Sequence, residues 1–231
     1  YESLNYSGAW LWQLGTRFSG RLSASRAESL TPFEDTLSFR RNKRISENQA
    51  FDLDGWLIDG WHLLLGVSQN DQKSEEILLN REPDFRATNT SVGVKYLTRA
   101  GNALTLRHQK SDGEYDRPVG AVNNDYTEDL TELIADWKLG GSSALNARIG
   151  WLDRDNVDVA LRDFSGPSSS LNYLWTPPGN LSLTLSAARR TSPLQGLTAS
   201  YREQDTLTVT PTWRISDKTS AYLNLRYEES T

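Results

Sequence analysis

The chain of 231 residues has only two imidazoles, His62 in "GWHLLLGV" and His108 in "ALTLRHQ". A serine activated by a histidine cleaves esters through a covalent intermediate, and serine is plentiful, so a hydrolase or lyase acting on lipid or polysaccharide is one function to weigh. Neither histidine has a motif beside it. Each sits on a run of alternating apolar and polar residues, where a solvated or interfacial imidazole is the ordinary occupant. The acidic runs "NDQKSEE", "DGEYD" and "DRDNVDVALRD" carry oxygen enough for calcium but lack the spacing and glycine of the helical calcium loop, and they read as solvated connections. With no cysteine, neither a disulfide framework nor a thiolate metal site is available. The expectation is a chain with no cofactor, no resident metal and no enzymatic activity.

A third constellation is one of charge. Arg17, Arg21, Lys95, Arg107, Arg148 and Arg226 all fall on the polar phase of alternating runs, and so do Glu128, Glu132, Asp136 and Lys138. Rings of charge set selectivity in pores, and opposite charges facing one another also cross-link a narrow lumen. Pairing with hydration, and a path for an anionic sugar polymer, both fit these residues.

The elements that hold them are strands. In "YLWTPPGNLSLTLSAARR", residues 173–190, Leu181, Leu183, Leu185 and Ala187 alternate with Ser182, Thr184 and Ser186, the mark of an extended strand with one oily and one wet face. The unit recurs: an aromatic closes one strand, a short turn of Gly, Asn, Asp or Pro follows, and a second alternating strand departs. The closing aromatics are Trp56, Tyr96, Trp137, Trp175 and Trp213, about 40 residues apart. A period of about 40 also occurs in propeller blades of four strands, but each repeat has one short turn and one long polar connection, so only two strands fit.

Short turns alternating with long connections are the layout of an up-and-down antiparallel transmembrane β-barrel. The five aromatics then form a girdle at the membrane interface. The lipid face would hold Leu181, Leu183 and Leu185; Leu145, Ala147 and Ile149; Leu207, Val209 and Trp213; and Ala221, Leu223 and Leu225. A soluble β-sandwich with a binding role would alternate in the same way while burying the oily set between two sheets. The stretch "WLWQLGTRFSGRLSA" reads as one strand with Arg17 and Arg21 inward. Trp56 needs a bulge near Gly55 to reach the face of Phe51 and Leu53. Asp129 falls on the lipid phase, above the membrane.

Upward strands beginning near Trp10, Trp61, Ala103, Ala144, Leu181 and Ser220, and downward strands ending at the five aromatics, make eleven. Bacterial barrels normally have an even number. The chain also starts at Tyr1, contains no methionine and ends at "EEST". The expectation is one barrel domain over residues 1–231, a mature or partial stretch lacking the first and last strands. No apolar run approaches the roughly 18 residues of a membrane helix, and a formal net charge of -5 argues against nucleic acid as the partner.

The runs "NYSGAWLWQLGTRFSGRLSASRAESL", "RDFSGPSSSLNYLWTPPGNLSLTLSAARR" and "LTVTPTWRISDKTSAYLNLRYEES" resemble the EpsL-like outer-membrane barrel proteins encoded with exosortase-linked exopolysaccharide biosynthesis genes, and more broadly the outer-membrane barrels of bacterial polysaccharide operons. The resemblance rests on tryptophan-turn patterns along essentially the whole chain. It implies a non-enzymatic role in exporting or assembling an extracellular polysaccharide at the bacterial outer membrane. The implied partners are membrane lipid and lipopolysaccharide, the exopolysaccharide chain and other subunits of the export machinery.

Overall fold

The structure, a computed structural model, describes residues 3–30, 43–74, 84–116, 123–158, 160–193 and 201–230. Much of the long connections, at 31–42, 75–83, 117–122 and 194–200, lies outside the described residues. The described chain is built of strands: β1 (Tyr6–Leu14), β2 (Phe18–Leu30), β3 (Lys43–Ile58), β4 (Trp61–Ser74), β5 (Phe85–Leu97), β6 (Ala103–Tyr115), β7 (Tyr126–Lys138), β8 (Ser143–Asn156), β9 (Phe164–Trp175), β10 (Leu181–Pro193), β11 (Tyr201–Ser216), β12 (Thr219–Tyr222) and β13 (Leu225–Ser230), with one 3-10 turn at Ala160–Arg162. All thirteen form a single antiparallel sheet in sequence order, with β12 and β13 successive pieces of one row along β11. This is the all-β, up-and-down architecture of an outer-membrane barrel wall.

The expected eleven strands become thirteen for two physical reasons. "WLWQLGTRFSGRLSA" is a hairpin, turning at Gly15 with φ +61, a left-handed backbone that glycine adopts without a Cβ penalty. Leu14 then lies opposite Phe18, Trp12 opposite Gly20 and Trp10 opposite Leu22. The turn joins positions an even number of residues apart, so the alternation runs through it without a break and imitates one strand. The last row is interrupted at 223–224, which splits it into β12 and β13.

The same even spacing holds at the other tight turns, where Leu97 faces Ala103, Lys138 faces Ala144, and Trp213 faces Ala221. Oily residues therefore stay on one face from strand to strand: Leu53 beside Leu65 and Val92, Leu106 beside Leu133 and Ile149, Leu185 beside Val209 and Leu225. That face stands open, with Ile149 at 63% exposure and Leu106 at 56%. The buried Thr105, Ser111, Glu132 and Ile134 all lie on the opposite, polar face. A sandwich would reverse this, burying the oily set under a second sheet, and the described residues form one sheet only.

Neighbouring strands are staggered in a regular way. The row through Tyr96 and Leu104 reaches Ala135, two residues short of Trp137. The row through Trp137 and Leu145 reaches Tyr173, two short of Trp175, and the row through Trp175 and Leu183 reaches Pro211, two short of Trp213. Two residues of slip per two strands, at about 3.3 Å per residue and about 4.8 Å per strand, tilt the strands by about 35°. A closing barrel wall requires such a tilt.

Candidate functional site

The stagger fixes where each closing aromatic sits. Tyr96, Trp137, Trp175 and Trp213 each occupy the same slot, one hairpin after another, on the oily face. Carried back toward the N-terminus, the slot falls on Gly55 in β3 and on Trp12 in β1, because Val94, two before Tyr96, shares its row with Gly55 and Leu53 shares its row with Trp12 across Gly20. Trp12 is thus a member of the aromatic row that the sequence period does not reveal, since its hairpin is hidden. Its ring stacks on Phe51 at 6.3 Å and lies across Gly20, where a Cβ would meet it at 2.3 Å.

Trp56 departs from the row. The register shift in β3 comes between Trp56 and Ile58, on the turn side of Trp56, so it cannot carry that residue across to the oily face. Trp56 pairs with His62 on the polar phase, and the Arg17 guanidinium sits 5.3 Å from its ring centroid. The place at Gly55 is covered by the Phe18 ring, 3.2 Å from where a Cβ would stand. Arg17 itself lies in the Gly15 turn, and its carbonyl accepts the Trp56 N–H at 2.7 Å.

The remaining charged candidates share the polar phase. Arg21 lies opposite Asp52. Asp54 binds both Lys95 Nζ and His62 Nδ1, the latter at 2.5 Å. Arg107 donates through Nε to Glu132 at 2.7 Å and also through Nη2, with the Glu132 side chain only 8% exposed. Glu128 accepts from Arg154 at 3.4 Å. Asp136 accepts from Asn146 Nδ2, Arg148 lies opposite Ile134 and Ser170, and Arg226 pairs with Glu228 at 2.6 Å. The structure thus places two groups on the polar face of β3–β7, Asp54 with His62 and Lys95, and Arg107 with Glu132. Over the middle of β9–β11 the same face is uncharged, with Ser168, Ser170 and Asn172, then Ser182, Thr184 and Ser186, then Thr206, Thr208, Thr210 and Thr212, while Arg190 and Arg214 stand toward its two ends. The sequence showed the signs of the charges but not their partners, most of which come from neighbouring strands, Lys95 reaching Asp54 across 41 residues and Arg107 reaching Glu132 across 25.

His108 lies elsewhere. It shares the oily phase with Val92, and its Nδ1 is 3.0 Å from Thr131 Oγ1 while Nε2 is 3.4 Å from Asp129. His62 and His108 are therefore on opposite faces and cannot act together. The Asp54–His62 contact orients an imidazole, but the same carboxylate also neutralises Lys95, which makes an ion-pair cluster of it.

Beyond the oily stretch, toward the long connections, the same face carries ion pairs: Arg26 with Glu28 and Glu47 at 2.8 Å each, Lys43 with Glu28 at 2.5 Å, Arg86 with Asp71 at 2.7 Å, and Arg189 with Asp205 at 2.5 Å. Glu28 also accepts the Leu4 N–H at 2.8 Å. That N–H, then Lys43 and Arg26, hold the Glu28 carboxyl down at about 2. Among the described residues no group of three or more His, Asp or Glu is arranged to hold a metal ion.

Comparison with known proteins follows the same lines. No family model and no curated protein matches the sequence. Among solved structures the chain is similar to the alcaligin outer-membrane receptor FauA of Bordetella pertussis, with a TM-score of 0.56 at 10% identity over 98% of this chain and 43% of that one. The fold is an outer-membrane barrel fold. The chain spans less than half the length of that receptor.

Proposed function

We propose that this chain is a wall of a bacterial outer-membrane β-barrel that helps an extracellular polysaccharide cross or assemble at that membrane without catalysing a reaction. The observation that carries the membrane part is the exposed oily face, bounded at the turn end by the aromatic row and at the other end by ion pairs. Such a face suits lipid between two interfaces, because a bilayer accepts apolar side chains and rejects unpaired backbone and charge. The likeness to an outer-membrane receptor supports the same location. Lipid and lipopolysaccharide would meet the oily face.

The polysaccharide part is supported by the resemblance of the tryptophan-turn segments to the EpsL-like proteins and by the polar face. There the charges are largely matched in pairs and the β9–β11 portion offers hydroxyls and amides. A surface that neither strongly attracts nor repels charge, and is rich in hydroxyls, suits a hydrated sugar chain in transit. The deciding experiment deletes the gene in a polymer-producing strain and complements it with the full-length protein. Surface polymer is expected to fall in the deletion and to return with the complement. Unchanged surface polymer in the deletion would remove the export role and leave the membrane location standing.

A further inference from the structure

Aromatic rings are sparse on the polar face, where Ser, Thr, Asn and ion pairs predominate and Trp56 stands apart at the turn end. Four gather at one place, the long-connection ends of β5 to β9: Phe85, Tyr115, Tyr126 and Phe164. Phe85 and Tyr115 lie directly opposite each other with ring centroids 4.8 Å apart, and Phe85 stacks on Tyr126 at 6.2 Å with 14° between the planes. Arg154, opposite Phe164, places its guanidinium carbon 3.4 Å from the Tyr126 centroid and reaches Glu128.

The backbone is shaped for these rings. Tyr126 lies opposite Gly113, where a Cβ would meet the tyrosine ring at 2.2 Å, and a Cβ at Gly166 would meet the Phe164 ring at 2.7 Å. The Tyr126 and Phe164 rings are each laid down against the sheet by a missing side chain instead of standing away from it. None of the four is fully buried. The result is a low strip of rings, joined by Arg154 and flanked by Glu128, running across five strands over roughly 19 Å.

We propose that this strip is a saccharide-stacking site at the mouth of the polar face, taking an uncharged stretch of an oligosaccharide or polysaccharide; it rests on the export reading above. A pyranose has an apolar C–H face, which packs on an aromatic ring, and a rim of hydroxyls, which bond to amide, guanidinium and carboxylate groups. The strip offers both at alternating positions, and its length suits several sugar units. A fatty chain would need a continuous oily groove, which the interposed charges of Arg154 and Glu128 interrupt.

The test uses the full chain folded in detergent and saturation-transfer NMR, with three probes: maltoheptaose, cellohexaose, and fragments of the producing strain's own polymer from partial acid hydrolysis. At least one probe is expected to show transfer strongest at its ring C–H protons. Its affinity should fall at least tenfold in the double variant Phe85→Ala with Phe164→Ala and be retained in Phe85→Tyr with Phe164→Tyr, all three proteins showing the same folded migration on a gel. Binding of none of the probes, or equal affinity in the alanine variant, overturns the site. Because export is read separately, from surface polymer in the deletion strain, failure of the site and failure of the export reading are told apart.

Discussion

Glu28 shows how one carboxylate can anchor an edge. It gathers the Leu4 N–H, Arg26 and Lys43, and its own N–H donates to Asn5 Oδ1 at 2.7 Å, tying the segment before β1 onto β2. Its carboxyl sits at about 2 in the fold against an ordinary 4.5. A group lowered in this way contributes stability that is fully present above the ordinary value, declines below it, and is gone once the pH has fallen through about 2. Hydrogen exchange corrected for intrinsic rates should show the Leu4 amide losing its protection over that window. In Glu28→Gln the same amide should exchange about tenfold faster at neutral pH, as the loss of one charge-assisted hydrogen bond implies. Trp56 carries a different lesson at this scale. Its place in the period matched the other aromatics, yet its face was decided by the register of β3 against β4, which puts it beside His62 and under Arg17.

Strands turn alternation into two faces, and β8 states the contrast within one element. Leu145, Ala147, Ile149 and Trp151 share a phase with Leu133 and Trp137, whereas Asn146, Arg148 and Arg154 share the other with Ile134 and Glu128. Ile149 stands four residues from the level of Trp137, close to the middle of a bilayer-spanning stretch. If that face meets lipid, Ile149→Arg should lower folding stability by about 2–4 kcal/mol, measured by urea titration in lipid vesicles. Thr184→Arg, on the polar face of β10, should change it by no more than about 0.5 kcal/mol. Equal costs at the two sites would refute the assignment of faces. The element scale also explains the hidden hairpin. Periodicity reports which face a residue takes, and a turn that preserves the phase leaves no mark in it, so only the hydrogen-bonded pairing of Trp12 with Gly20 separates β1 from β2.

At the scale of the whole molecule, the thirteen strand segments of the described residues form one tilted sheet, each joined to its neighbours by interstrand hydrogen bonds. The full chain is expected to need detergent and to migrate faster on a gel unheated than boiled, because sodium dodecyl sulfate alone leaves such a network intact; identical migration under both treatments would speak against a barrel wall. By itself the sequence determined the alternating strands other than the β1–β2 hairpin and the break in the last row, the division of residues between two faces and four of the aromatic slots, since alternation and turn residues are local properties written in consecutive positions. It also placed Arg21, Lys95, Arg107, Arg148, Arg226, Glu128, Glu132 and Asp136 on a common phase. Only the tertiary structure decided the rest: that Asp54 joins His62 to Lys95, that Trp12 belongs to the aromatic row while Trp56 leaves it, and that Phe85, Tyr115, Tyr126 and Phe164 gather at one end of the polar face. Those pairings depend on the slip between strands, and that slip is set by hydrogen bonding between segments whose separation in the chain carries no record of it.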